Sequence, residues 1–288
     1  MRLHYLKTSW RNLTKNKSFS FINIVGLATG MAACLFILQY VSFKLSYDHF
    51  NKNVSTLYRL VNDHYRDGKL VQHSTMTYSG MSRAIKEEYP EVANYSRAEP
   101  YRVEVISFGD KKIADQRAIG VDNSFLSMFS YPLLKGDINT ALKETNSVIL
   151  SETLANKFLN GTTGVGSLVG QTIIFDRDSV PYTITGISKD VPANSHLKFD
   201  LLMSYVSFYS AAGNNRWARA DHDFTQANFW HYIQLKDGID PKQLEAKLPA
   251  LSDKLFPKNK AAGVEDRFFL QPLEFLSNRV YLSREQVR

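Results

Sequence analysis

From Ser18 to Phe43 the sequence runs for 26 residues without a charged side chain, bounded by Lys17 and Lys44. About 20 apolar residues cross the hydrocarbon core of a bilayer as a helix, and in lipid such a helix satisfies every backbone polar group within itself. This run therefore predicts one transmembrane helix over residues 18–45, and everything else must be arranged around it. Phe21, Ile22, Ile24, Val25, Leu27, Leu35, Phe36, Ile37, Leu38, Val41 and Phe43 supply the apolar surface. The run is too long for a cleaved leader, and bulky Tyr40–Phe43 stand where a cleavage site would need small residues. A lipoprotein site at Met31-Ala32-Ala33-Cys34 would leave Leu35-Phe36-Ile37-Leu38, still membrane-grade sequence, at the mature terminus.

The net charge of +7 sits almost wholly beside this run. Arg2, Lys7, Arg11, Lys15 and Lys17 precede it with no acidic partner, while the remaining residues hold 30 basic and 28 acidic side chains. A basic flank of this kind orients a membrane helix with residues 1–17 in the cytoplasm and residues 46–288 outside, and it favours an anionic lipid surface. A nucleic-acid-binding face would need basic residues clustered in the folded part, so no nucleic-acid partner is expected. Leu3, Leu6, Trp10 and Leu13 form one helical stripe, which reads equally as an interfacial helix or as a plain basic flank. Within the span, Gly26 and Gly30 stand four apart and Ala33 extends their face. Small residues so spaced let a second helix approach closely, and these three are the expected membrane packing residues.

Beyond Lys44 strands and helices mix without a regular βαβ beat, which predicts an α+β fold with mixed or antiparallel sheet. Strands are expected at 56–65, 70–72, 101–108, 111–121, 147–150, 172–175, 182–187, 197–202, 229–235 and 267–272. Turns are expected at Asp67-Gly68 and Gly109-Asp110. Helices are expected over 79–89, over 123–129 behind a capping Asp122, from Ser151 to Leu159, and over 241–255 behind a capping Asp240.

Nothing here has the spacing of a catalytic constellation. Gly161 to Ser167 imitates a phosphate loop, but Ser167 stands where lysine is required and the loop leads from a helix into a strand. Asp221-His222-Asp223 is one corner of a metal site without a second cluster, and His196 and His231 are isolated in sequence. Glu87 and Glu88 read as a solvated helix face. The aromatic run Phe208, Tyr209, Trp217, Phe224, Phe229, Trp230 and Tyr232 is more often core than ligand surface. The only cysteine, Cys34, lies in the span, so the outer region has no disulfide. No catalytic, cofactor-binding or metal-binding residue is expected, and the chain does not read as an enzyme.

Several stretches resemble a known family. Ser9-Trp10-Arg11-Asn12-Leu13-Thr14-Lys15-Asn16-Lys17, leading into Phe21 to Gly30, is similar to the start of a MacB/FtsX-type ABC transporter permease. Ser46-Tyr47-Asp48-His49-Phe50-Asn51-Lys52-Asn53, followed by Leu57-Tyr58-Arg59-Leu60, looks like that family's passage into its periplasmic core domain. Ser147 to Phe158, Val169-Gly170-Gln171-Thr172 and Tyr182 to Ser195 resemble the core domain's later motifs, and Gln271-Pro272-Leu273 the return to the membrane.

The resemblance implies a bacterial inner-membrane protein whose periplasmic domain has two subdomains, one inserted in the other at roughly residues 109–190. It implies a separate cytoplasmic ABC ATPase, a second permease half or protomer, and periplasmic or outer-membrane components as partners beside the lipid bilayer. ATP hydrolysis in that partner would drive efflux or mechanotransmission through the periplasmic domain. Because family permeases carry further membrane helices after this domain, the chain is expected to be a fragment of one. The alternative is a single-pass membrane-anchored periplasmic sensor or binding module.

Overall fold

A computed structural model of the chain describes residues 11, 15, 17–159, 164–176, 179–207, 222, 224–225, 227–257, 259 and 262–278. The stripe of Leu3, Leu6, Trp10 and Leu13 lies outside them. Met1–Ser46 and Tyr47–Arg288 are two separate compact units.

In the first unit, Lys17–Leu45 forms one continuous helix (α1) with no buried residue. Its most apolar window has a mean hydropathy of 2.2, and it is the one helix among the described residues long and apolar enough to cross a membrane. Gly26 and Gly30 each face open space where a side chain would project. Thr29 Oγ1 returns a hydrogen bond to the Val25 carbonyl (2.8 Å), so its hydroxyl is satisfied inside the helix.

The second unit is built on a sheet of eleven strands among the described residues. They are β1 (Leu57–Arg66), β2 (Lys69–Ser74), β3 (Val92–Phe108), β4 (Lys111–Val121), β5 (Leu133–Lys135), β6 (Ser147–Ser151), β7 (Thr172–Phe175), β8 (Val180–Ser188), β9 (Leu201–Ser204), β10 (Trp230–Leu235) and β11 (Val264–Pro272). The order is β11-β1-β10-β3-β4-β9-β6-β8-β5, with β2 on β1 and β7 on β3 and β8. Most pairs are antiparallel, but β4 with β9 and β6 with β8 run parallel. The sheet is therefore mixed and the class α+β. Helices α2 (Met81–Glu88), α3 (Phe125–Met128), α4 (Glu152–Phe158), α5 (Pro241–Glu245) and α6 (Leu248–Leu255) accompany it.

The turns follow from local chemistry. Asp67 and Gly68 both take positive φ (50° and 72°), the pair of left-handed residues that a tight hairpin needs to match strand twist. Gly136 has φ 108°, and a side chain there would meet the Thr185 carbonyl at 2.7 Å. Ser151 accepts from the Leu154 amide at the start of α4, and Asp240 from the Lys242 amide at the start of α5.

Four expected elements differ most. The strand expected from Tyr101 begins at Val92 and runs through Pro100. Proline is tolerated there because β10 ends at the Trp230–Ala98 pair, leaving no ladder partner for the missing N–H on that side. The helix expected over 123–129 shrinks to α3, because the Asp122 carboxylate is taken by Arg97 and caps nothing. The helix expected over 241–255 is two helices, the second starting with Pro249 in its first turn. The strand expected at 197–202 starts only at Leu201, since Lys198 and Asp200 are committed to contacts described below.

The core falls into three clusters. The central one gathers Leu57, Ala98, Ile119, Phe125, Phe129, Tyr131, Phe199, Leu202 and Tyr232. A second, drawn from Val103 to Met203, includes Ile106, Leu154, Phe158, Ile173 and Ile184. The third joins both ends of the unit through Leu60, Ile85, Val92, Ile233, Leu248 and Phe268. The strand β3 supplies residues to all three.

Candidate functional site

Three positions after the end of α1, Asp48 has a positive φ of 59° and a fully buried carboxylate. A buried carboxylate needs donors on every side to offset lost hydration, and one loop supplies them. The Ser195 hydroxyl donates to Oδ1 at 3.2 Å. The His196 amide reaches Oδ1 at 3.2 Å and Oδ2 at 3.4 Å. His196 Nδ1 stands 2.9 Å from Oδ2, an ion-pair distance, but off the line of a hydrogen bond. The Asp48 amide in turn donates to the Asn194 carbonyl at 2.8 Å. Asp48 is thus held through both backbone and side chain by Asn194-Ser195-His196.

The network continues into the central core. Tyr131 Oη lies 2.9 Å from Ser195 Oγ, and His196 Nε2 lies 2.7 Å from Tyr232 Oη. Burial pushes both phenols well above their ordinary pKa, so both stay neutral hydroxyls within the network. Phe129 stands edge-on to the Tyr232 ring with centroids 5.0 Å apart, and Phe50 packs at 5.4 Å from Tyr131.

The residues after Asp48 bind a second loop. Asn51 Nδ2 donates to the Asp48 carbonyl (3.0 Å), and Asn51 Oδ1 accepts from the Ser130 amide (3.0 Å). The Lys52 amide donates to Ser130 Oγ at 2.9 Å, and Asn53 Nδ2 to the Met128 carbonyl at 3.0 Å. Every polar residue of Asp48 to Asn53 named here closes a contact far away in sequence.

The loop that holds Asp48 is tied down at both ends. Asp190 accepts from the Thr153 amide (2.9 Å) and hydroxyl (2.6 Å) at the start of α4. Lys198 Nζ donates to the carbonyls of Pro192 (2.7 Å) and Ala193 (2.8 Å). Burial and the nearby Arg117 lower the Lys198 pKa, in that order. Asp200 accepts from the Arg117 amide (2.9 Å), Nε (3.0 Å) and Nη2 (2.8 Å) on β4, and these bonds hold its pKa below the usual carboxylate range.

The arrangement fastens rather than reacts. Asp48 and Tyr232 are fully buried, and their polar atoms meet Ser195 and His196. Among the described residues no group of three or more His, Cys, Asp and Glu side chains could hold a metal ion. His231 is fully buried with Nδ1 2.8 Å from Ser82 Oγ, and burial with the charge of Arg97 lowers its pKa to about 3. Glu87 pairs with Arg83 (2.7 Å) and Glu88 with Lys254 (2.6 Å) on the surface. Phe229 and Tyr232 are core residues. Phe208, Tyr209, Trp217, Asp221, Asp223 and residues 161–163 lie outside the described residues.

Sequence reasoning placed Gly26, Gly30 and Ala33 on α1, where all three are exposed. It set Asp48 and His196 apart as a flank residue and an isolated histidine. The signal was present only as two separate motifs, Ser46 to Asn53 and Tyr182 to Ser195, and the bonded pair Asp48 and Ser195 stands 147 positions apart.

Fold and helix together define an α+β unit on one large mixed sheet, preceded in sequence by one long apolar helix among the described residues. The sequence model of the MacB-like periplasmic core domain matches residues 20–251. A domain assigned to a permease of Porphyromonas gingivalis superposes with a TM-score of 0.64 at 22% identity, covering 77% of this chain and 91% of that one. The periplasmic region of MacB from Actinobacillus actinomycetemcomitans gives 0.51 at 13% identity, covering 78% and 92%. Comparison with curated protein sequences gave no significant match. The chain belongs to the MacB-like periplasmic core domain family, the periplasmic domains of ABC-type transporter permeases.

Proposed function

We propose that this chain is the first membrane helix and periplasmic core domain of an ABC transporter permease in a bacterial inner membrane, with residues 1–17 cytoplasmic. It couples ATP hydrolysis by a separate cytoplasmic ATPase to work in the periplasm, either efflux or mechanotransmission. The observation that carries this reading is the span of the family match, residues 20–251, which takes in nearly all of α1 as well as most of the outer domain. The positive flank of α1 supports the orientation.

The burial of Asp48 supports the coupling role. Only Ser46 and Tyr47 separate the last helical residue, Leu45, from a carboxylate fixed inside the outer domain. So short a connection leaves little slack to absorb movement of the helix end. Gly26, Gly30 and Ala33 are the face through which α1 meets a second permease half or protomer, and the open space around both glycines supports that. The second core cluster, built only from residues 103–203, supports an inserted subdomain near 109–190.

The test is co-isolation. The permease containing this chain, tagged and extracted from its own membranes in mild detergent, is expected to bring down an ABC ATPase and ATP-hydrolysing activity. Recovery without any ATPase, under conditions that keep the permease folded, would overturn the reading.

A further inference from the structure

We propose that Asp190–Asp200 is a transmission strap, which spreads any displacement of Asp48 to three separate parts of the outer domain at once. The proposal takes its purpose from the coupling role above, but the strap is testable without transport.

Eleven consecutive residues hold Asp48 in the middle and grip a different element on each side. At the middle, Asn194, Ser195 and His196 bind the Asp48 amide and carboxylate. Through Nε2, His196 reaches Tyr232 on β10, in the central core. At one end Asp190 holds the first turn of α4, whose Leu154 and Phe158 belong to the second core cluster. At the other end Asp200 grips Arg117 on β4 with three bonds, and the Asp200 carbonyl accepts from the Ser151 amide at 2.8 Å. Between these anchors Lys198 closes on the carbonyls of Pro192 and Ala193, so the loop cannot lengthen without breaking its own bonds.

Three of these anchors are aspartates that each receive a backbone amide: His196 to Asp48, Thr153 to Asp190 and Arg117 to Asp200. Charge-assisted bonds of this kind are the stronger ones, and each amide reports directly on its own anchor. Arg97, whose amide donates to Asp122 at 2.7 Å, is the same kind of bond outside the strap.

The experiment is amide hydrogen exchange on the full chain in lipid nanodiscs, comparing wild type with Asp48→Asn. This change keeps the shape and removes the charge that Ser195 and His196 surround. The expected result is exchange about tenfold faster at His196, Thr153 and Arg117 together, with Arg97 unchanged. The proposal is overturned if Thr153 and Arg117 keep their wild-type rates, or if Arg97 accelerates equally and the change is global loosening. Should Asp48→Asn fail to fold, Asp190→Asn tests the strap from its exposed end. The Asp48 amide, bonded to Asn194, is then expected to exchange about tenfold faster, and an unchanged rate overturns the strap. A strap that passes in a chain that recruits no ATPase would contradict the transporter reading and leave the strap standing.

Discussion

Glu99 on β3 is expected to add a pH-dependent contribution to the stability of the outer domain that a single substitution removes. Its carboxylate is largely buried, Oε2 has no hydrogen-bond partner, and burial alone raises its pKa from 4.5 to about 7. The folded protein therefore binds this proton more tightly than the unfolded chain does. The stabilisation is fully present below the unfolded value of 4.5 and is lost as pH rises through about 7. Converting that shift gives about 3 kcal/mol, or roughly 6–12 °C in melting temperature for a domain of this size. Glu99→Gln is neutral at every pH. Melting of the full chain in detergent, followed by tryptophan fluorescence, is expected to show wild type and variant close together at pH 4.5. At pH 8 the variant should melt higher by that margin. A difference that is the same at both pH values, or that favours wild type at pH 8, would refute the assignment of a desolvated carboxylate.

Asp122→Asn is expected to destabilise the domain by about 3 kcal/mol, because Arg97, 3% exposed, would keep a buried charge whose paired carboxylate at 2.6 Å is gone; denaturant titration reads this. Gly136→Ala meets the Thr185 carbonyl at 2.7 Å and Gly186 Cα at 2.9 Å with φ at 108°, and should lower stability by roughly 1–3 kcal/mol in the same titration. Gly30→Leu fills open space on α1, so the monomer should fold normally while co-isolation of a second permease half or protomer falls. Unchanged co-isolation would remove that face from the packing proposal.

The parts of the fold legible in the sequence are those governed by local chemistry. The Asp67-Gly68 and Gly109-Asp110 turns fix two hairpins, and Lys111–Val121 emerges as a strand with the expected bounds. Ser151 and Asp240 cap the helices they were expected to cap. What escaped depends on distant partners. Asp122 was a plausible cap until Arg97, 25 positions away, claimed it. Residues 197–200 alternate like a strand, yet Lys198 and Asp200 are recruited by neighbouring loops and by Arg117. The Asp48 nest is the extreme case: no periodicity links position 48 to positions 194–196, and a buried aspartate looks in sequence like any polar residue after a membrane helix. The family resemblance had flagged both motifs without revealing that they touch.

Under the proposed coupling role, movement driven by ATP at the membrane enters the outer domain through Asp48. Hydrogen exchange on the assembled transporter, with and without a non-hydrolysable ATP analogue, tests this most directly. Nucleotide is expected to change exchange at the His196, Thr153 and Arg117 amides together, and the change is expected to vanish in Asp48→Asn while ATP binding persists. Amides indifferent to nucleotide in the wild type, or a response that survives in Asp48→Asn, would contradict it.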